Sequence, residues 1–151
     1  MRNRPNLAQV AAMRREGRMA NKLRSLDVFD RLSAYAPQAL AVLRIITALL
    51  FIEHGTQKLF GWPVPPMGPT EGLMLVAGIL ELVGGVLILI GFLTRPVAFL
   101  MCGFMAVAYF MGHAPMGFWP VANMGDAAIL FCFIFGYMVF AGPGAWSVDR
   151  R

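Results

Sequence analysis

The sequence predicts an all-α protein: a four-transmembrane-helix bundle preceded by a basic, partly amphipathic segment at the membrane surface. Hydrophobic residues make up 58% of the 151 residues and charged residues only 14%, which is too apolar for a soluble domain of this length. Four apolar stretches follow one another after Pro37, and segments rich in Gly and Pro separate them. Outside the spans, Lys and Arg are confined to the termini and alternate connections, as in multi-pass membrane proteins.

The four predicted spans begin and end at clear sequence boundaries. They are 38–60, 72–93, 96–111 and 127–141. The last two reach the roughly 17–25 residues of a bilayer-crossing helix only if residues 112–113 and 124–126 extend them. His113 and Asp126 are therefore predicted to be terminal residues of their helices.

The distribution of basic residues predicts the orientation. Eight of the thirteen Lys and Arg residues precede Pro37, Arg95 lies between the second and third spans, and residues 150–151 form a basic C-terminal tail. The connections 61–70 and 114–123 contain none. Because basic loops stay in the cytoplasm, both termini are predicted to be cytoplasmic, in a bacterial-type inner (cytoplasmic) membrane.

The first 36 residues read as a cytoplasmic extension of the membrane domain, which spans residues 37–149. Ser25 is predicted to cap a short helix in which Leu26, Phe29, Leu32 and Tyr35 recur every three residues. Such a helix is expected to lie on the lipid bilayer, with its basic neighbours held by anionic lipid. The sequence shows no folded basic domain of the kind that binds nucleic acid, so we expect no nucleic-acid partner.

Ionisable residues in the outer part of the first span indicate a functional site. Glu53, His54 and Lys58 lie within six residues of one another, and a charge near the bilayer centre costs roughly 2.5–3.5 kcal/mol. Such groups usually face a protein interior or a wet cavity. The alternative is that they lie at the end of the span and reach water, which applies best to Lys58.

Glu81 is the charged residue of the second span, roughly 15 Å below the outer surface. Gly78 and Gly85 share its helical face, which predicts that Glu81 lies in a helix–helix interface. Arg44, near the inner side of the first span, has two open interpretations. Its side chain either snorkels to the inner interface or forms an intramembrane pair with Glu81.

The predicted topology brings the ionisable groups of the outer half to one vestibule. We expect His54 and Glu81 within about 8 Å of each other, close enough to share a ligand or a bridging water. Lys58 and Asp126 are expected at the rim. The candidate catalytic residues are His54, Glu81, Lys58 and Arg44, and the candidates for cofactor binding are Glu53, His113 and Asp126. The spacing of these residues fits no standard metal motif, so we expect no metal.

Cys102 and Cys132 are predicted to be separate, buried apolar thiols. Counted along their spans, Cys102 lies toward the inside and Cys132 toward the outside. A height difference of roughly 10 Å would exceed the Cα separation that a disulfide requires. Thiol exchange is therefore not expected.

Several motifs resemble the DoxX family of small integral membrane proteins. The matching segments are Leu43-Arg44, His54-Gly55, Lys58-Leu59, 78–87, 91–95 and 142–149. The resemblance covers roughly residues 41–149 and implies a four-helix bundle with Arg44, His54, Lys58 and Glu81 at motif positions. A related branch, DoxD, is a subunit of a thiosulfate:quinone oxidoreductase, and other members are linked to redox-stress complexes. Glu53, His113 and Asp126 are candidates from depth alone.

The sequence leaves several functions open, and it does not decide whether the protein is an enzyme. The first is a quinone-linked or redox-associated oxidoreductase component, since a His and a carboxylate near one membrane face suit a quinone headgroup. The alternative is a non-catalytic accessory subunit of a larger membrane complex, with other membrane subunits or a homo-oligomer as partners. A small-solute transporter is the third.

Overall fold

The computed structural model describes residues 7–66 and 68–149; within helices, the side chains of residues 7, 8, 11 and 21–28 lie outside the description. All regular secondary structure in these ranges is helical. The chain forms two compact units, Met1–Ala36 and Pro37–Arg151. The predicted all-α class is thus confirmed for the described residues.

The N-terminal unit contains one long helix, α1 (Leu7–Ser33). The helix continues through Ser25, so the prediction that Ser25 begins a short helix was wrong. Helix-forming Ala, Met, Arg, Leu and Lys residues dominate this stretch and override a local capping signal. The side chains of Phe29, Leu32 and Tyr35 are exposed, while Leu26 lies outside the described side chains. Binding of this segment to a lipid surface stays a prediction.

The membrane unit contains helices α2 (Ala36–Phe60), α3 (Leu73–Ile90), α4 (Thr94–Ala108) and α6 (Asp126–Ala141), with a short α5 (Pro120–Asn123). A π-helical turn, Tyr109–His113, and a 3-10 turn, Ala114–Met116, continue α4. Within the described residues, Ala36–Phe60, Leu73–Ile90 and Thr94–Met116 are long and apolar enough to cross a membrane. Three of the four predicted spans therefore have helices of sufficient length.

The fourth predicted span corresponds to α6, which has 16 residues and is shorter than an ordinary crossing helix. Its crossing of the bilayer stays a prediction. Asp126 begins α6, which confirms its predicted terminal position, whereas the helical turns that continue α4 extend three residues past His113, to Met116.

The hydrophobic core lies where α2, α4 and α6 meet. Phe51 of α2 packs edge-on against Phe135, with ring centroids 5.0 Å apart, and contacts Phe131 at 5.3 Å. Met101 and Ala98 of α4 and Met138 of α6 are fully or almost fully buried in the same cluster. Aromatic packing therefore fixes α6 against α2 in the middle of the bundle.

Glycines bring α2 and α3 into close contact. A Cβ atom at Gly55 would lie 2.6 Å from the backbone nitrogen of Leu82, and one at Gly85 would lie 2.7 Å from the Ile52 side chain. A Cβ atom at Gly78 would lie 3.1 Å from the Cβ atom of Lys58. Since membrane helices approach most closely through small residues, these glycines set the α2–α3 distance.

The two ends of the membrane unit differ. We call the end where α2 and α4 begin and α3 and α6 finish the terminus end, and the opposite end, with connections 61–72 and 109–125, the loop end. At the terminus end, Gly91 (φ 67°) finishes α3: its N–H bonds the Ile88 carbonyl and the Phe92 N–H bonds the Leu87 carbonyl. This Schellman arrangement turns the chain sharply toward α4.

A candidate polar site at the loop end

Lys58 and Glu81 form an ion pair between the last turn of α2 and the middle of α3. The Lys58 Nζ atom lies 2.8 Å from Glu81 Oε1 and 2.7 Å from Oε2. The Glu81 side chain is only 6% exposed and that of Lys58 20%. The prediction that Glu81 lies in a helix interface is confirmed, and its partner is Lys58, which we had expected at the rim.

The glycine contacts explain why the pair forms. Gly78 lies one turn before Glu81 and packs against Lys58, so α3 approaches the aliphatic stem of Lys58 closely. The Thr70 hydroxyl donates a hydrogen bond to the Lys58 backbone carbonyl at 2.6 Å. The connection after α2 is thereby attached to the turn that carries the ammonium group.

His54 lies one turn before Lys58 on α2. Its imidazole ring meets Phe131 of α6 edge-on, with centroids 5.9 Å apart, and the residue is otherwise exposed. His54 thus lies on the side of α2 that faces α6. Its expected proximity to Glu81 stays a prediction.

The other candidates from depth are not joined to this pair in the described contacts. His113 Nδ1 lies 3.0 Å from the Asn123 backbone oxygen, and its ring stacks on Tyr109 at 6.3 Å. Glu53 and Asp126 are exposed. Asp126 lies in the first turn of α6, where a carboxylate interacts favourably with the helix dipole.

Arg44 lies at the terminus end and is completely buried. Both earlier interpretations, snorkelling to the interface and pairing with Glu81, were wrong. Its guanidinium group donates instead to backbone carbonyls that end α3 and line the C-terminal segment, namely those of Ile88, Leu89, Pro143, Ala145 and Trp146. A guanidinium has five N–H donors, and these five bonds use all of them. Arg44 therefore has no donor left for a ligand.

Comparisons with known proteins show which family the chain resembles. The DoxX family profile matches residues 39–114. A protein of Haemophilus influenzae is 41% identical over 129 residues, covering 81% of this chain and 96% of the relative. The inner membrane protein YqjF of Escherichia coli is 33% identical over 116 residues, covering 72% of this chain and 88% of that protein.

The chain belongs to the DoxX family. A membrane protein of Mycobacterium tuberculosis is also 32% identical over 142 residues, covering 80% of this chain and 85% of the relative. No solved structure matches the chain. This DoxX-family chain is an integral membrane protein, and relatives from Escherichia coli are named as inner membrane proteins.

The C-terminal segment of this DoxX protein contributes a residue that the sequence did not single out. Asp149 accepts hydrogen bonds from the Leu93 and Thr94 backbone N–H groups, at 2.9 and 2.8 Å, and so caps α4. Burial opposes ionisation of Asp149, but these bonds and the charge of Arg44 outweigh it and hold the pKa of the carboxyl below its usual range. The sequence signal that could have indicated this role is Leu93, which stands at the start of α4 and has no side chain that can cap the helix.

The cysteines of the DoxX bundle correct a further prediction. Cys102 Sγ of α4 and Cys132 Sγ of α6 are 3.7 Å apart, so the predicted difference in height was wrong. At the terminus end, Arg95 of α4 donates to the Val139 carbonyl of α6, so these two positions lie at the same height. Cys102 lies seven residues after Arg95 and Cys132 seven residues before Val139, so antiparallel helices place them level.

Asn123 is a buried polar residue that the sequence analysis missed. Its side-chain amide donates to the Gly117 carbonyl at 2.7 Å, and its carbonyl oxygen accepts the Gly125 N–H at 2.8 Å. These bonds stabilise the turn before α6. Among the described residues, no three His, Cys, Asp or Glu side chains lie close enough together to hold a metal ion.

Proposed function

We propose that this DoxX-family protein is a quinone-linked component of a membrane redox reaction, with the Lys58–Glu81 pair as the binding site for the quinone headgroup. The observation that supports this is the buried ion pair at the loop end. A buried ion pair is weak support for stability, because desolvation can exceed the attraction between the charges. Ionisable groups inside a membrane bundle usually bind a ligand or form part of a proton pathway.

The donors and acceptors of the pair suit a quinone. An ammonium group has three N–H donors, and Lys58 uses two on Glu81, which leaves one, among the contacts of the described residues, for a ligand oxygen. Quinone carbonyls are acceptors, and their reduction takes up protons. Lys58 and Glu81 share protons with each other and can supply one to such an oxygen. His54, one turn away on α2, is a second proton-exchanging group.

The electrons must come from elsewhere than these side chains. Lys, Glu and His transfer protons but do not carry electrons, so an electron carrier has to act beside the site. In this proposal Lys58 and Glu81 bind and orient the headgroup and move protons. Glu53, His113 and Asp126 are exposed or bound within the loop end and take no part in headgroup binding.

Quinone binding can be measured by fluorescence quenching of the full chain in lipid nanodiscs. Trp62 and Trp119 are exposed in the connections of the loop end, and Trp146 is exposed at the terminus end. A Trp146→Phe variant therefore reports on the loop end alone. We expect a short-chain quinone to quench this variant saturably.

The matched comparison is the double variant Lys58→Met/Glu81→Leu, which leaves no unpaired charge. It should raise the Kd for quinone by at least about tenfold, equivalent to roughly 1.4 kcal/mol. Glu71→Gln, which changes an exposed carboxylate at the same end, should leave the Kd unchanged. Equal Kd values for the double variant and the parent would exclude the pair as the quinone site.

A second candidate is an accessory subunit of a larger membrane complex. It is favoured by α1, which belongs to a compact unit separate from the bundle and shows exposed Phe29, Leu32 and Tyr35 side chains. Deletion of residues 1–34 should then lower the mass of the complex on native gels by more than the mass of the deleted residues, because partner subunits are lost. An unchanged mass would argue against this role for α1.

A further inference from the structure

The two cysteines of the chain meet in the middle of the α4–α6 interface. Their sulfur atoms are 3.7 Å apart, and a disulfide has an S–S distance of about 2.05 Å. The required shift of less than 2 Å is within reach of rotation about the Cα–Cβ bonds. The separation of the two sulfur atoms is therefore compatible with a reversible dithiol.

The interface is built to bring these sulfurs together. Gly136 lies one turn after Cys132 on α6, and a Cβ atom there would lie 3.5 Å from Cys102 Sγ. That distance is ordinary van der Waals contact, so a side chain larger than a methyl group at position 136 would press against the Cys102 sulfur. By contrast, a Cβ atom at Gly103 of α4 would meet no atom within 4 Å, so that glycine faces open space.

The position of the pair selects the kind of oxidant that can reach it. Cys102 lies eight residues beyond the start of α4, so roughly 12 Å from the terminus end, and Cys132 lies six residues inside α6 from the loop end, roughly 9 Å. Both residues are partly exposed at this depth. An oxidant that dissolves in the bilayer has access, whereas a water-soluble thiol or peroxide would have to cross apolar surface.

We infer that Cys102 and Cys132 form a redox-active dithiol that passes two electrons to a membrane-soluble quinone. In this step both S–H bonds break and one S–S bond forms. The two electrons and two protons pass to the quinone, whose two carbonyl groups become hydroxyl groups. The transfer leaves no net charge in the membrane.

This inference rests on the proposed function for the identity of the oxidant. In this inference the dithiol is the electron carrier that the Lys58–Glu81 pair lacks. Reduction of the disulfide would then fall to a membrane-embedded dithiol donor, such as another subunit, which becomes oxidised to a disulfide and restores both S–H bonds.

The test uses the reduced full chain in nanodiscs, mixed with an oxidised, fully substituted short-chain quinone. Because the sequence contains two cysteines, the thiol state can be read by alkylation and intact mass. We expect both alkylation sites to disappear, the chain to lose the mass of two hydrogens, and one quinol to form per chain. Cys102→Ser and Cys132→Ser should each retain one alkylatable thiol and form no quinol.

Two glycine variants test the geometry without changing either thiol. Gly136→Leu should force the sulfurs apart and slow disulfide formation at least tenfold, while Gly103→Leu should react like the parent. A copper–phenanthroline control shows whether the pair can close at all. Free thiols after both oxidants, or a disulfide between two chains on a non-reducing gel, would overturn the dithiol assignment.

The remaining outcomes separate this inference from the proposed function. If copper–phenanthroline closes the pair and quinone binds but does not oxidise it, quinone is not the acceptor and the headgroup site stands. If quinone oxidises the Lys58→Met/Glu81→Leu variant as fast as the parent, the dithiol stands and the headgroup site fails.

Discussion

Replacement of Arg44 by Met should destabilise the protein strongly by releasing the C-terminal segment. The guanidinium bonds five carbonyls, and the Ile88 carbonyl alone among them keeps a second partner in the described bonds, the Gly91 N–H. Leaving a buried hydrogen-bonding group without its partner costs about 1–3 kcal/mol. We expect a total loss of about 3 kcal/mol from the freed carbonyls, because most of them are only partly buried and can be hydrated.

A loss of about 3 kcal/mol corresponds to a fall of about 10 °C in Tm for a chain of this size. Arg44→Lys should fall between the parent and Arg44→Met, because an ammonium has three N–H donors for five acceptors. Thermal unfolding in nanodiscs measures both. Limited proteolysis should also cut residues 143–149 faster in Arg44→Met.

Arg95→Met is the matched control. Arg95 is exposed and bonds two carbonyls, those of Val139 and Phe140, so its loss should cost about 1 kcal/mol or less. If Arg44→Met unfolded at the same temperature as Arg95→Met, or left the tail as resistant to protease as the parent, the structural role of Arg44 would be refuted.

Three further predictions follow from the same contacts. Glu81→Leu should lower Tm more than Glu81→Gln does. Adding Lys58→Met to Glu81→Leu should restore part of the lost Tm, because it removes the unpaired ammonium group. If no Tm were restored, the two residues would not be energetically coupled. The hydrogen bonds of Asp149 should stabilise the protein at pH values above the unfolded pKa of about 3.9, and this stabilisation should be lost as the pH falls through the lower pKa of the folded state. Asp149→Asn should therefore flatten the fall in Tm on acidification. A Tm that falls with pH as steeply as in the parent would contradict this. With the native cysteines replaced, Val64→Cys and Met116→Cys should react with an impermeant thiol reagent outside intact cells, and labelling only after lysis would reverse the orientation.

Sequence periodicity predicted the α2–α3 interface well. Gly78, Glu81 and Gly85 share a helical face at three- and four-residue spacing, and the structure places that face against α2. A face is a local property of one helix, so it can be read from one segment. The partner of Glu81 was harder to predict, because it depends on how α2 and α3 are aligned along their axes.

The errors concern relative heights and backbone partners. The depths of the two cysteines were counted from the predicted ends of their spans, but α6, with 16 residues, is too short for its ends to mark the membrane surface. The contact that shows how α4 and α6 align, between Arg95 and Val139, involves a backbone carbonyl. The same holds for Arg44, whose acceptors are all backbone carbonyls. Since every residue carries a carbonyl, the sequence does not show which of them will end near a given side chain.

The two basic residues of α2, Arg44 and Lys58, differ in the kind of group that they bond. Arg44 bonds fixed backbone carbonyls with all five donors, so any ligand would have to break an existing bond. Lys58 bonds a side chain that can take up a proton or rotate, and it keeps an N–H beyond the two that Glu81 accepts in the described contacts. Electrostatic rearrangement is therefore possible at the loop end and is blocked at the terminus end. Together with the burial of the ion pair, this difference supports our proposal that a ligand binds at Lys58 and Glu81.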